Sequence, residues 1–234
     1  MTTLRAPAKL TLSLRITGVR ADGYHLIDAE MASLDLADTL EIEPGKGVSV
    51  GASADIDPAD NLITRALALV GRDARVTVTK RILPGAGLGG GSADAAAILR
   101  WAGYSDVQGA VQLGADVPFC LVGGRARVQG IGEIVEPLRH TPRTLTLLIP
   151  PFGCSTPEVY RCWDEMGGPQ GANGNDLEPA ALEVEPRLEV YRLRLERATG
   201  QTARLAGSGS SWFVEGDYPG DGRIVVRTVP AQPQ

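Results

Sequence analysis

Pro84-Gly85-Ala86-Gly87-Leu88-Gly89-Gly90-Gly91-Ser92-Ala93-Asp94-Ala95-Ala96-Ala97 places five glycines within seven positions and runs straight into an alanine-rich, helix-forming segment. Glycine admits positive φ and lets other groups come close. A glycine turn that feeds a helix N-terminus leaves unpaired N–H groups and a partial positive charge, which together favour an anion. The loop therefore reads as a phosphate cradle. Two familiar cradles fit it poorly. Gly85-Ala86-Gly87-Leu88-Gly89-Gly90 satisfies G-x-G-x-x-G, but Lys80 to Pro84 separate it from the preceding strand, and a lone match is weak. Gly45-Lys46-Gly47 is the only Gly-Lys, and its neighbours are wrong for a G-x-x-x-x-G-K-[ST] loop.

The rest of the chain narrows the chemistry. With 234 residues and 43% hydrophobic content, one large domain or two small ones can bury a core. A net charge of −5 argues against a nucleic-acid or anionic-membrane surface. No apolar run approaches the roughly 20 residues that span a bilayer, and residues 1–7 lack a signal-peptide core, so a cytoplasmic location is expected. Cys120, Cys154 and Cys162 read as reduced packing thiols. Two histidines, His25 and His140, exclude a histidine-rich metal centre.

Lys9 to Ile16 alternates strictly, predicting a half-buried strand with Lys9, Thr11 and Ser13 on one face. Extended segments are expected over 27–36, 39–43, 75–79, 125–129, 144–149, 202–206 and 224–229. Helices are expected after a cap at Asp60, after Ser92, from Ser155-Thr156-Pro157-Glu158, and over 188–198 with Gly200 past the end. Gly167 to Gly174 reads as flexible, and residues 138–143 as a domain boundary. Asp116 lies in a tight turn before an apolar segment. Taken alone, Lys9 reads as a solvated lysine and Asp116 as a turn cap.

Pro-x-x-x-Gly-Leu-Gly-Gly-Gly-Ser resembles the nucleotide loop of the galactokinase/homoserine kinase/mevalonate kinase superfamily, which lacks a Walker lysine. Ala6-Pro7-Ala8-Lys9-Leu10, Arg20-Ala21-Asp22-Gly23-Tyr24-His25, Asp60-Asn61-Leu62 and Gly114-Ala115-Asp116-Val117-Pro118 resemble one branch of it, the 4-diphosphocytidyl-2-C-methyl-D-erythritol kinases. So do Gly130-x-Gly132-Glu133, Thr156-Pro157, Asn175-Asp176-Leu177-Glu178 and Gly207-Ser208-Gly209. The resemblance implies an α+β fold with an S5-like, ATP-binding domain at 1–140 and a shortened ferredoxin-like domain at 141–234.

It also implies roles. Asp116 would accept the proton of the attacking hydroxyl, with Lys9 as the cation beside it and the transferring phosphoryl. Pro84, Gly85, Ala86, Gly87, Leu88, Gly89, Gly90, Gly91 and Ser92 would hold the phosphates of ATP, carried with Mg²⁺ and no assigned protein metal ligand, and Asn61 and Lys80 would lie near the adenosine. His25 would bond the cytosine edge, Tyr24 and Tyr160 would sandwich its ring, and Thr11, Thr156, Ser208 and Gly209 would complete the substrate side. The implied partner is a small molecule, a cytidine diphosphate derivative, with no nucleic acid or membrane; the implied assembly is a monomer or weak homodimer. Thr11 departs from the usual asparagine, Ala93 from a second serine, and the 92–116 connection is short. Rival readings are a homoserine, mevalonate or sugar kinase, a nicotinamide oxidoreductase, and a noncatalytic RNA-contacting module.

Overall fold

The computed structural model describes residues 1–51 and 61–232. Two long antiparallel strands, β1 (Thr2–Val19) and β2 (His25–Glu43), form its spine. β2 pairs on its other edge with β4 (Arg75–Thr79) through residues 39–43 and with β5 (Arg125–Gly130) through residues 27–32. The edges of this six-stranded sheet are extended by β3 (Gly47–Val50), parallel to β4, and β6 (Ile134–Leu138), antiparallel to β5. Against it lie α1 (Leu62–Leu69), α2 (Gly90–Trp101) and the short α3 (Val117–Val122), with α2 packed on β1 between the other two.

The later chain forms a four-stranded antiparallel sheet from β7 (Thr144–Leu148), β8 (Arg204–Leu205), β9 (Trp212–Glu215) and β10 (Arg223–Arg227), in the order β10-β7-β9-β8. Its helices are α4 (Thr156–Glu165), α5 (Glu178–Val184) and α6 (Leu188–Thr199), the last closed by Gly200 in the left-handed conformation. The two sheets meet through a shared apolar layer. Ala8, Leu10, Leu12 and Leu34 of the first pack with Leu145, Leu147, Phe213 and Val226 of the second.

That layer corrects the half-buried expectation for β1. Ala8 to Leu12 are all buried, because the second sheet covers the face that would otherwise meet water. The alternation is corrected too. The register shifts between Thr11 and Ser13, so Leu14, not Ser13, joins Lys9 and Thr11 on the cavity side. At α1 the cap is Asn61, whose Oδ1 accepts from the Ile63 N–H at 2.8 Å; Asp60 lies outside the described residues. The stretch expected to be flexible is tied down at its end, where the Leu14 N–H donates to the Gly174 carbonyl and the Asp176 N–H to the Leu14 carbonyl.

Candidate active site

Between the first sheet, the glycine loop and the start of α4 lies a cavity of about 930 Å³. Its wall contains Lys9, Thr11, Tyr24, His25, Asn61, Lys80, every residue from Pro84 to Ser92, Asp116, Thr156, Tyr160 and Ser208. Residues from strands, loops and helices spread over two hundred positions thus share one space. Gly209 is the exception: it is buried behind the loop rather than on the wall.

The glycine loop is held from two sides. The Lys9 N–H donates to the Leu88 carbonyl at 3.0 Å, Ser211 bonds the Ala86 carbonyl through both its N–H and its Oγ, and the Ser210 N–H reaches the Gly85 carbonyl. Gly87 has φ +76°, and a Cβ there would stand 2.5 Å from the Ala206 oxygen and 2.6 Å from that of Gly209. The Gly209 backbone therefore braces the loop from behind. Gly89, at φ +68°, caps α2 without a side-chain bond, and Lys9 lies across it: a Cβ would be 2.7 Å from Lys9 Cγ. The first turn of α2 has no acidic residue. Its leading N–H groups are left for an anion.

Asp116 sits at the N-cap position of α3 but makes no capping bond. Its Oδ2 instead lies 3.2 Å from Lys9 Nζ, which also donates to Thr11 Oγ1 at 3.2 Å. Lys9 is 6% exposed, so it is not a solvated lysine. Both bland readings fail on the same contact. On the far side, Thr156 Oγ1 and Ser208 Oγ are 2.8 Å apart and join the start of α4 to the Gly207–Ser211 loop. Asn175 fixes that loop by donating to the Leu205 and Gly207 carbonyls.

At the opposite end, Lys80 Nζ reaches Asp94 Oδ2 at 2.8 Å and Asp38 Oδ2 at 2.5 Å. Asp38 Oδ1 also accepts from the Arg81 and Ile82 N–H groups. Burial works against the Lys80 charge, but the two carboxylates outweigh it and hold the ammonium above its ordinary range. With two acids against one base, this cluster has no positive charge to spare for phosphate. Asp94 Oδ1 is buried without a partner, and desolvation lifts its carboxyl to about 6 despite the pull of Lys80. The folded state then holds a proton that the unfolded chain, with a carboxyl near 3.8, has released. Stability from this group is present below about pH 4 and is lost as pH rises to about 6, on the order of 2 kcal/mol. Urea unfolding of wild type and Asp94→Asn between those pH values should show that slope only in the wild type.

The sequence reading did not single out Asp38, Asp94 as a site residue, or Asp164, which also lines the cavity. Asp164 carries a usable signal: it follows Tyr160 by four residues and so shares its helix face. Nothing in the local pattern marks Asp38 or Asp94.

Comparison with known proteins identifies the family and the fold. Residues 61–124 match the GHMP kinases N terminal domain family. The 4-diphosphocytidyl-2-C-methyl-D-erythritol kinase of Paracoccus denitrificans is 40% identical over 232 residues, covering 89% of this chain and 84% of that one. A crystal structure of 4-(cytidine 5'-diphospho)-2C-methyl-D-erythritol kinase superposes with a TM-score of 0.78 at 32% identity, covering 97% of this chain and 99% of the other. A mevalonate kinase structure, at 12% identity and TM-score 0.61, shares the fold over the whole length of both chains. The chain belongs to the 4-diphosphocytidyl-2-C-methyl-D-erythritol kinase family, on the α+β fold of the GHMP kinases.

Proposed function

We propose that this chain transfers the γ-phosphoryl group of ATP to the 2-hydroxyl of 4-diphosphocytidyl-2-C-methyl-D-erythritol, an isoprenoid-precursor step. The Lys9–Asp116 contact beside the uncapped start of α2 carries the reading. Phosphoryl transfer asks a protein for alignment and charge compensation more than for covalent chemistry. Asp116 takes the proton of the attacking hydroxyl while that oxygen bonds to the γ-phosphorus. The bond to the β–γ bridging oxygen breaks, and ADP leaves. Lys9 and the N–H groups of the glycine loop face the charge that gathers on the phosphoryl oxygens. Lys80, bound to two carboxylates, positions the nucleotide end instead.

Among the described residues no group of three His, Cys, Asp or Glu is placed around one point. Mg²⁺ needs no such group, since it binds through one or two protein oxygens plus phosphates and water. The Asp116 carboxylate and Ser92 hydroxyl, both on the cavity wall, are hard donors of the right kind. The ion would neutralise phosphate charge. Tyr24, 59% exposed, and Tyr160 supply the aromatic walls for a flat base, with His25 between strand and helix. The two sheets support a division near residue 140. Among the described residues no helix is long and apolar enough to cross a membrane, and the three cysteines are free.

The test is ADP release with ATP, Mg²⁺ and the cytidine substrate, beside homoserine and mevalonate as acceptors. Turnover confined to the cytidine substrate is expected. Turnover of another acceptor in its place would reassign the enzyme within the superfamily.

A further inference from the structure

His25 and Asp164 make a contact that phosphoryl transfer does not use. The His25 imidazole, at the start of β2, places Nε2 2.8 Å from Oδ1 of Asp164 in the last turn of α4. Its side chain is 10% exposed, whereas that of Asp164 is 47% exposed. Tyr160, one helical turn before Asp164, lies against the same imidazole with ring centroids 4.7 Å apart. Trp163 meets it edge-on at 5.5 Å. The ring is thus fixed in place by two aromatics, while one of its nitrogens is fixed by a carboxylate.

That carboxylate decides where the proton sits. An ionised carboxylate only accepts, so Nε2 must carry the hydrogen, and the neutral ring then holds its lone pair on Nδ1. Cytosine offers an amino group as donor where uracil offers a carbonyl oxygen as acceptor. A bare Nδ1 complements the first and repels the second. An Nδ1–H ring would do the reverse.

We propose that Asp164 is a positioning residue that locks His25 in the Nε2–H tautomer and thereby makes the base end of the cavity select cytidine over uridine diphosphate derivatives. This rests on the reading of the cavity as the site of a cytidine substrate. The effect belongs in discrimination and KM rather than in the chemical step, because Asp164 acts on the base and Asp116 on the hydroxyl. Leaving a polar group facing the wrong partner is what gives such sites their selectivity.

Only His25 and His140 carry imidazoles, so long-range proton–nitrogen spectra of the ¹⁵N-labelled protein, with His140→Gln as the assignment control, report both tautomers. At about pH 8.5 the wild-type His25 should show Nε2–H alone, as the contact with Asp164 requires. Asp164→Ala should give a tautomer mixture, raise the KM for the cytidine substrate, and narrow the preference over its uridine analogue by roughly tenfold. Saturated kcat should change much less. A wild-type His25 that carries hydrogen on Nδ1 overturns the proposal. So does an Asp164→Ala variant with unchanged tautomer or unchanged preference. A wild-type chain that uses neither nucleotide overturns the functional reading itself, and the selectivity with it.

Discussion

Asp116→Asn should lower kcat by about a thousandfold while the protein still binds ATP, since general-base catalysis is worth roughly 10²–10⁴. The amide keeps the size and one acceptor oxygen but cannot take a proton at neutral pH. The contact with Lys9 at 3.2 Å adds a second effect. The nearly buried ammonium keeps Thr11 Oγ1 but loses its counter-ion, so stability should fall by about 1–3 kcal/mol. Because Asp116 makes no capping bond to α3, the helix should survive. Single-turnover phosphorylation measures the chemical step apart from product release, and urea unfolding measures the second effect. A chemical step within tenfold of wild type would remove Asp116 from the role of base and leave alignment by the loop as the whole of catalysis.

The sequence was most legible where steric demands are local. The glycine loop, the strand ending at Thr79, the start of α4 and the glycine that ends α6 all lie where residue type restricts the backbone. Elements without such punctuation escaped. β6 contains Pro137, which hides a strand in the pattern and is tolerated because β6 is an edge. β3 has four residues, and α5 has seven with a proline in its first turn, too short for a helical period to show. At the site, Lys9 and Asp116 were identifiable only because several short motifs occurred in order. Their contact spans more than a hundred positions, and no local pattern encodes it. Ser13 failed for a related reason: a bulge depends on what the partner strand does, so strict alternation in the sequence does not guarantee strict alternation in space. Asp38 and Asp94 look like ordinary strand and helix residues until folding places Lys80 between them.

Gly87→Ala should be the most damaging single-methyl change in the phosphate loop. The new Cβ would stand 2.5 Å and 2.6 Å from two backbone oxygens, those of Ala206 and Gly209. Neither is the end of a flexible side chain, so relief requires moving the loop away from the Gly207–Ser211 segment. That motion strains the bonds from Ser210 and Ser211 to Gly85 and Ala86. Alanine at φ +76° adds about 1–2 kcal/mol of backbone cost. Together with the overlap, stability should fall by about 2–4 kcal/mol. ATP-dependent turnover should fall at least about a hundredfold, because a displacement near 1 Å is enough to spoil alignment. Gly91→Ala, four residues on, separates this account from a general intolerance of the loop to bulk. Its Cβ would meet only Leu62 Cδ1 at 3.6 Å, and its φ is not positive. In the first turn of α2 alanine should leave stability unchanged or raise it by up to about 1 kcal/mol. Thermal unfolding of the two variants decides the matter: equal losses would mean that the docking of loop on loop is not what holds the cradle in shape.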